Sequence, residues 1–167
     1  MQKTVGADVF KHEMTEKYFD TVYRLALSRT KDTEHAADVT QEVFLRYIKT
    51  DKVFTSEEHV KAWLIRVTIN CSNSLFTSSW YKNTAPLTED IKFETEEKTE
   101  EKSEVYYAVA ALPLKYRTAI HLFYYEDMSI SDIAKVTNQK ETTVKSQLKR
   151  GRDMLKKALK GGNGYEF

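Results

Sequence analysis

The stretch from Ser129 to Leu159 constrains the fold of this chain most, because it encodes two helices separated by only three residues. Ser129 followed three residues later by Asp132 is a capping pattern, which sets polar groups against the first unpaired N–H groups of a helix. Asn138–Lys140 interrupts the helical periodicity, and asparagine tolerates the left-handed conformation that ends many helices. A second helix is therefore predicted from about Glu141. Its apolar face carries one glycine and is formed by Val144, Leu148, Gly151, Leu155 and Leu159.

The predicted second helix has a basic surface opposite its apolar face. From Lys140 to Lys160 the chain contains eight basic and two acidic residues. At about 100° per residue, a basic stripe lies outward with short polar side chains beside it. These outward residues are Thr142, Lys145, Ser146, Lys149, Arg150, Arg152 and Lys156. A merely solvated lysine-rich helix is one interpretation. The capped helix and short turn that precede it favour another, a helix-turn-helix whose second helix enters the major groove of DNA.

The composition agrees with a helical protein that binds nucleic acid at its C-terminal end. Only two prolines and five glycines occur in 167 residues, and 41% of the residues are hydrophobic, which suffices for a packed core. The net charge of +1 hides an uneven distribution. Residues 1–80 contain 11 basic and 11 acidic residues, whereas residues 104–167 contain 11 basic and 7 acidic residues. Positive charge is thus concentrated around the predicted helix-turn-helix, as expected for a DNA partner.

The sequence lacks the usual signs of an enzyme, a metal site or a membrane protein. It contains no glycine-rich phosphate loop, no nucleophile elbow and no paired-carboxylate motif. His12, His35, His59 and His121 are too scattered to indicate a metal site, and the single Cys71 is predicted to be buried. No apolar run reaches the length of a membrane span, and no signal-peptide core is present. We therefore expect a cytoplasmic protein with no catalytic residue, no cofactor and no metal.

The N-terminal half predicts helices over residues 12–30 and 33–49, after a frayed lead-in at 1–11. Thr33 is the predicted cap of the second of these helices. Its inward face is predicted to contain Ala36, Val39, Val43 and Tyr47. On the opposite face lie a leucine and its acidic and amide neighbours, namely Asp38, Gln41, Glu42 and Leu45. This outward face is either a protein-binding surface or ordinary solvent-exposed surface, since single exposed leucines are common.

A loop at residues 50–56 leads into a long helix, which is predicted to be capped by Ser56 and to run from Glu57 to about Trp80. This helix is apolar on two sides, and such a helix is normally buried between neighbours or lies against a partner. Four aromatic residues are candidates for stacking on unpaired bases or for core packing: Trp63, Phe76, Trp80 and Tyr81.

Two blocks of sequence carry a family resemblance. The runs 36–47 (A-A-D-V-T-Q-E-V-F-L-R-Y) and 61–70 (K-A-W-L-I-R-V-T-I-N) resemble region 2 of bacterial sigma factors. The runs 110–137 and 142–159, which include T-T-V-K-S-Q-L-K-R-G-R-D-M-L-K-K-A-L, resemble region 4. With only these two blocks, the chain is similar to the extracytoplasmic-function group of the sigma-70 family from about Glu13 to Leu159.

The resemblance implies three sets of site residues. The expected contacts to core RNA polymerase are Asp38, Gln41, Glu42 and Leu45. The expected contacts to the promoter -10 element are Phe54, Trp63, Arg66 and Asn70. The expected contacts to the -35 element are Thr142, Thr143, Lys145, Ser146, Lys149, Arg150 and Arg152. The chain departs from the family pattern after Asn70, where no charged residue occurs before Lys82. Fewer phosphate contacts and a more aromatic binding of single strands are therefore expected there.

The implied architecture is all-α, with two small helical domains joined by a flexible acidic linker. Region 2 is predicted at 1–82, the linker at 83–102, region 4 at 103–162 and a disordered tail at 163–167. The linker contains seven acidic and three basic residues and few apolar ones, a composition that favours an extended chain.

The implied function is that of a sigma factor, which binds core RNA polymerase and directs promoter-specific initiation without catalysis of its own. Its partners would be core polymerase, promoter DNA and an anti-sigma factor, with no small-molecule substrate. One alternative is a helix-turn-helix regulator that binds operator DNA as a dimer without polymerase. Another alternative is a purely protein-binding adaptor, which the basic face of the last helix argues against.

Overall fold

The computed structural model describes residues 2–78 and 103–160, with side chains from Gly6 onward. Every element of regular structure in these two ranges is helical, which confirms the all-α prediction. The helices divide into two compact units. The predicted linker at 83–102 and the predicted tail at 163–167 lie outside the described residues. The domain boundaries therefore stay a prediction.

The first unit is a bundle of three helices: α1 (Gln2–Thr30), α2 (Thr33–Lys49) and α3 (Glu57–Thr77). α1 packs against both of the others, and α2 packs against α3. The centre of the core is formed by fully buried side chains of all three helices, among them Val22, Val43, Tyr47, Val60 and Leu64. The predicted inward face of α2 is buried, and so is Cys71, both in agreement with the sequence analysis.

Three details of the first unit differ from the prediction. α1 begins at Gln2 rather than His12, and the Lys11 ammonium group donates hydrogen bonds of 3.0 and 2.8 Å to the carbonyl oxygens of Ile48 and Thr50. This contact ties the early part of α1 to the C-terminal end of α2, where a positive charge is favourable. Asp32 rather than Thr33 caps α2, because its backbone is extended and its carboxylate accepts the His35 N–H at 3.0 Å. α3 ends at Thr77, a little before the predicted end.

The second unit contains α4 (Glu104–Ala110), α5 (Leu114–Ile120), α6 (Ile130–Thr137) and α7 (Glu141–Ala158). α5 continues directly into a π-helical turn, His121–Tyr125, which the periodicity of the sequence did not indicate. α7 packs against α4, α5 and α6 and thus forms the centre of the unit. The predicted apolar face of α7 is buried in this packing, and the core it enters includes Ile120, Leu122 and Ile133. Tyr124, in the π-helical turn, is 45% exposed.

Gly151 permits the close crossing of α5 and α7. A Cβ atom at this position would lie 2.9 Å from Cγ1 and 3.2 Å from Cδ1 of Ile120. Ile120 is buried and β-branched, so it has little freedom to move away. The two helices can therefore keep this separation only while position 151 has no side chain.

Gly151→Val should destabilise the second unit by about 1–3 kcal/mol, because the added methyl groups overpack the crossing. Urea unfolding of the full chain can separate the two units, since both tryptophans, Trp63 and Trp80, lie in the N-terminal half. We expect the unfolding transition followed by far-UV circular dichroism to move to a lower urea concentration. The transition followed by tryptophan fluorescence should keep its midpoint. Gly6→Val is the matched control, because no atom of the described part of the chain lies within 4 Å of a Cβ at Gly6. Equal effects of the two substitutions would contradict the close-crossing explanation.

Candidate DNA-binding and protein-binding surfaces

The helix-turn-helix has the local geometry that the sequence predicts. The Ser129 hydroxyl accepts the N–H of Asp132 at 3.1 Å and so caps α6. α6 ends at Thr137 and is followed by the cap residue Asn138, whose φ of 53° and ψ of 47° are left-handed. The N–H of Gln139 donates a hydrogen bond of 2.9 Å to the carbonyl oxygen of Ala134. α7 then begins at Glu141. The three-residue turn at 138–140 is therefore confirmed, together with the caps that define it.

Asn138 should be replaceable by glycine but not by a β-branched residue. Asn138→Val is expected to destabilise the second unit by about 1–2 kcal/mol, because the left-handed conformation brings a β-branched side chain against the backbone. Asn138→Gly should be at least as stable as the natural chain, since glycine adopts this conformation without strain. The midpoint of urea unfolding, followed by circular dichroism, measures the stability of both variants. A valine variant as stable as the glycine variant would show that the turn adopts another conformation in solution.

α7 is oriented so that its polar surface faces away from the unit. The buried positions are Val144, Gln147, Leu148, Gly151 and Leu155. Six of the seven residues expected to contact the -35 element are exposed: Thr142, Thr143, Lys145, Ser146, Lys149 and Arg150. The seventh, Arg152, is half-buried. The helix is thus held by its apolar face while short polar and basic side chains point outward, which is the arrangement that major-groove binding requires.

Two arginines on α7 have aromatic partners that the sequence analysis did not identify. Arg150 interacts with the hydroxyl of Tyr116 on α5, and this interaction is the main reason why the pKa of Tyr116 is lowered. The guanidinium carbon of Arg152 lies 5.9 Å from the ring centroid of Phe123, within cation–π distance. Phe123 belongs to the π-helical turn, so its contact with Arg152 depends on this departure from the regular helical repeat.

The outward face of α2 is exposed at the positions that the sequence singled out. Asp38, Gln41 and Glu42 are exposed, and Leu45 is 41% exposed. Glu42 pairs with Arg46 one turn along the helix at 2.9 Å, a surface ion pair of small energetic weight. An exposed leucine bordered by polar groups suits a protein-binding surface with an apolar centre and a polar rim.

An apolar groove of about 600 Å³ runs between α1 and α2 and reaches this face. Its lining includes Phe19 and Tyr23 from α1, and Gln41, Phe44, Leu45 and Ile48 from α2. Phe19 is 47% exposed, and its ring stacks on that of Phe44 with 5.8 Å between the centroids. Ile48 is 58% exposed and lies three residues after Leu45, on the same face of α2. These two apolar residues on an outward face are the sequence signal that could have revealed the groove.

The residues expected to contact the -10 element fall into two kinds. Phe54 and Trp63 are half-buried and belong to an aromatic cluster with Tyr47, in which the Phe54 and Trp63 rings meet edge to face at 5.7 Å. Arg66 and Asn70 are exposed on α3. Of the other aromatic candidates, Phe76 is half-buried, whereas Trp80 and Tyr81 lie outside the described residues. The aromatic cluster packs the loop against the bundle and still leaves part of its surface accessible.

No helix within residues 2–78 and 103–160 has the length and hydrophobicity needed to span a bilayer. In the same ranges, no group of three or more histidine, cysteine, aspartate or glutamate side chains could hold a metal ion.

The two units match two family models. Residues 14–80 match sigma-70 region 2, and residues 102–155 match sigma-70 region 4. Sigma factor SigM of Bacillus subtilis is 30% identical over 153 residues, which cover 86% of this chain and 91% of that protein. Sigma factor SigV of the same organism is 26% identical over 136 residues, 80% of this chain and 81% of that protein.

Two solved structures share the fold. Sigma factor RpoE, in complex with the anti-sigma factor NepR from Bartonella quintana, superposes with a TM-score of 0.70 at 22% identity, covering 92% of this chain and 98% of that chain. CnrH, in complex with the cytosolic domain of CnrY, gives a TM-score of 0.68 at 18% identity, with coverage of 97% and 95%.

The fold and the exposed surface of α7 define a helix-turn-helix DNA-binding protein of two helical units. The chain belongs to the sigma-70 family, in its extracytoplasmic-function (ECF) group. It is an RNA polymerase sigma factor, which binds core polymerase and directs initiation at specific promoters. The matches to both regions, in this order, favour this function over the dimeric operator-binding regulator and over the adaptor.

Proposed function

We propose that α2 binds core RNA polymerase through Asp38, Gln41, Glu42 and Leu45. Two observations support this assignment: all four side chains are exposed on one face of α2, and Gln41 and Leu45 also line the apolar groove. A leucine beside an open apolar groove offers a partner helix a site for an apolar side chain. The acidic and amide groups around it would fix the orientation of that helix.

The second unit recognises the promoter -35 element in this proposal. The observation that carries it is the orientation of α7, whose glycine and apolar side chains are buried while six of the seven expected contact residues face outward. Thr142, Thr143 and Ser146 permit close approach to base edges. Lys145, Lys149, Arg150 and Arg152 would contact phosphates or guanines.

The first unit recognises the -10 element through the loop before α3 and through α3 itself. Phe54 and Trp63 leave part of their rings accessible, and aromatic rings stack on unpaired bases without strong sequence preference. Arg66 and Asn70, exposed on α3, would supply polar contacts. Two DNA contacts in one chain strengthen each other through effective concentration once polymerase holds both units.

The protein is proposed to act in the cytoplasm, without catalysis of its own, under the control of an anti-sigma factor. Both structural relatives described above are bound to a partner. RpoE is bound to the anti-sigma factor NepR, and CnrH is bound to the cytosolic domain of CnrY. The exposed apolar groove between α1 and α2 supports the same idea, because such grooves accept amphipathic helices.

Run-off transcription with purified bacterial core polymerase tests this function. The template is the DNA upstream of the gene that encodes the protein, because factors of this kind often drive their own expression. We expect a discrete transcript that requires the protein. If no transcript forms and the protein alone binds the same DNA tightly, the operator-binding regulator would replace the proposed function. A pull-down of core polymerase with the full chain separates an unsuitable template from a failure to bind polymerase.

A further inference from the structure

The sequence R-G-R at 150–152 marks the point where α5 crosses α7. Gly151 faces α5 and is buried, with its hypothetical Cβ 2.9 Å from Ile120 and 3.6 Å from the Cβ of Tyr116. Because successive residues are about 100° apart around a helix, Arg150 and Arg152 leave α7 on the two sides of this crossing. Each arginine thus has an aromatic residue of the α5 segment beside it.

The two arginines are placed almost symmetrically about the outward surface of α7. Arg150 is eight residues and Arg152 ten residues from Thr142. Viewed along the axis of α7, the two arginines therefore lie about 80° to either side of Thr142. A recognition helix in the major groove has one phosphate backbone along each of its sides. These two positions are therefore the ones that meet the borders of the groove, while Thr142 and Ser146 face its floor.

Each arginine is held by a different kind of contact. Tyr116 lies at the crossing, with its Cβ 3.6 Å from the hypothetical Cβ of Gly151, and its hydroxyl interacts with Arg150. The ammonium group of Lys115 lies 5.1 Å from the Tyr116 ring centroid, which adds positive charge to the same side. Arg152 lies over the ring of Phe123 at 5.9 Å. The Nε atom of Arg152 is buried and has no acceptor among the described residues, so hydrogen bonds from this guanidinium to DNA must come from its terminal nitrogens.

We propose that Tyr116 and Phe123 are positioning residues, which hold Arg150 and Arg152 on opposite flanks of α7 so that the guanidinium groups contact the phosphate backbones of opposite DNA strands. The proposal rests on the assignment of α7 to the -35 element. A free arginine side chain loses rotamer freedom when it binds a phosphate, and pre-ordering in the unbound protein reduces that loss. The aromatic residues would raise affinity without contacting DNA.

The test measures holoenzyme binding to a duplex that the holoenzyme has selected from a randomised library. Arg150→Ala and Arg152→Ala should each lower affinity about ten-fold and reduce the slope of log K against log[salt] by about one, as loss of one phosphate contact requires. Tyr116→Phe should lower affinity about three-fold and leave the slope unchanged, because the arginine charge remains. Phe123→Leu should behave like Tyr116→Phe, and Phe123→Tyr, which keeps an aromatic ring, should restore binding.

Double-mutant cycles separate positioning from a general structural effect. Tyr116→Phe should cause no further loss in the Arg150→Ala background, and Phe123→Leu none in the Arg152→Ala background. Tyr124→Phe is the matched control, because Tyr124 is 45% exposed and its loss of a hydroxyl should have no effect. Additive losses in both cycles would overturn the positioning role and leave the -35 assignment intact.

Replacing single phosphates by uncharged methylphosphonates tests the opposite-strand geometry. The natural protein should lose affinity at one position on each strand. The affinity of Arg150→Ala should not change when the phosphate at one of these positions is replaced, and that of Arg152→Ala should not change at the other. Each variant has already lost the contact to that phosphate. Sensitivity confined to one strand would overturn the proposed geometry. If neither arginine variant binds more weakly than the natural protein, this proposal fails, whereas the assignment of α7 to the -35 element fails only if Lys149→Glu is also without effect.

Discussion

Leu45→Glu is expected to weaken binding of core RNA polymerase by about 100-fold, the size of effect that loss of a central interface residue produces. Leu45 is 41% exposed and lines the groove between α1 and α2, so the carboxylate would face the partner and not the core of the bundle. Burying a carboxylate in an apolar contact without a partner is costly, and Asp38 and Glu42 nearby add repulsion. Fluorescence anisotropy of labelled full-length protein against core polymerase, without DNA, measures the affinity directly.

Val53→Glu is the matched control for this experiment. Val53 is an exposed apolar residue of the same unit, at 82% exposure, but it lies in the loop between α2 and α3, outside the proposed polymerase-binding face. Both variants should unfold at the same urea concentration as the natural chain, because neither position is buried. If the two substitutions weakened polymerase binding equally, the contact would not be specific to α2 and the proposed face would be wrong.

Lys149→Glu is expected to lower promoter-dependent transcription by about 30-fold or more, while holoenzyme formation stays normal. Lys149 is exposed on the outward surface of α7, two turns from its start, where the side chains of a recognition helix reach DNA. The substitution removes one cation and adds an anion opposite the phosphates, and a like-charge contact of this kind costs several kcal/mol. Run-off transcription at fixed holoenzyme concentration gives the activity, and native gels without DNA give holoenzyme formation.

Lys157→Glu makes the same change of charge near the C-terminal end of α7. Lys157 is also exposed, but it lies where a groove-bound helix leaves the DNA, so its effect should be at most about three-fold. Raising the salt concentration should narrow the difference between the two variants, because the phosphate contribution is screened. Equal losses at the two positions would mean that α7 attracts DNA only through its total charge and does not enter the groove.

The helix-turn-helix could be predicted from the sequence almost residue by residue. Its start at Ser129, its left-handed end at Asn138 and its second start at Glu141 all depend on contacts between residues a few positions apart. Such contacts are encoded by neighbouring residues, so they can be inferred without knowing what packs against them. The outward positions of α7 follow equally from the helical period once the apolar face is known.

The starts of α1 and α2 were predicted less well, because one depends on a distant contact and the other on a choice between two neighbouring residues. Asp32 and Thr33 are both good caps, and only the extended backbone at Asp32 decides between them. The early start of α1 accompanies the reach of Lys11 to the carbonyl groups at the end of α2, 37 and 39 residues further along the chain. The sequence alone does not show which distant carbonyl groups a lysine can reach.

The sequence by itself determined the helical class, the two sigma regions and the residue types on each outward face, because periodicity, caps and charge are properties of neighbouring residues. Only the tertiary structure decided which side chains meet across helices. The groove formed by Phe19, Phe44 and Ile48 exists because α1 and α2 pack side by side, and the partners of Arg150 and Arg152 follow from the crossing at Gly151 and from the π-helical turn. These contacts join residues that are distant in sequence, and their energies depend on packing that no local pattern records.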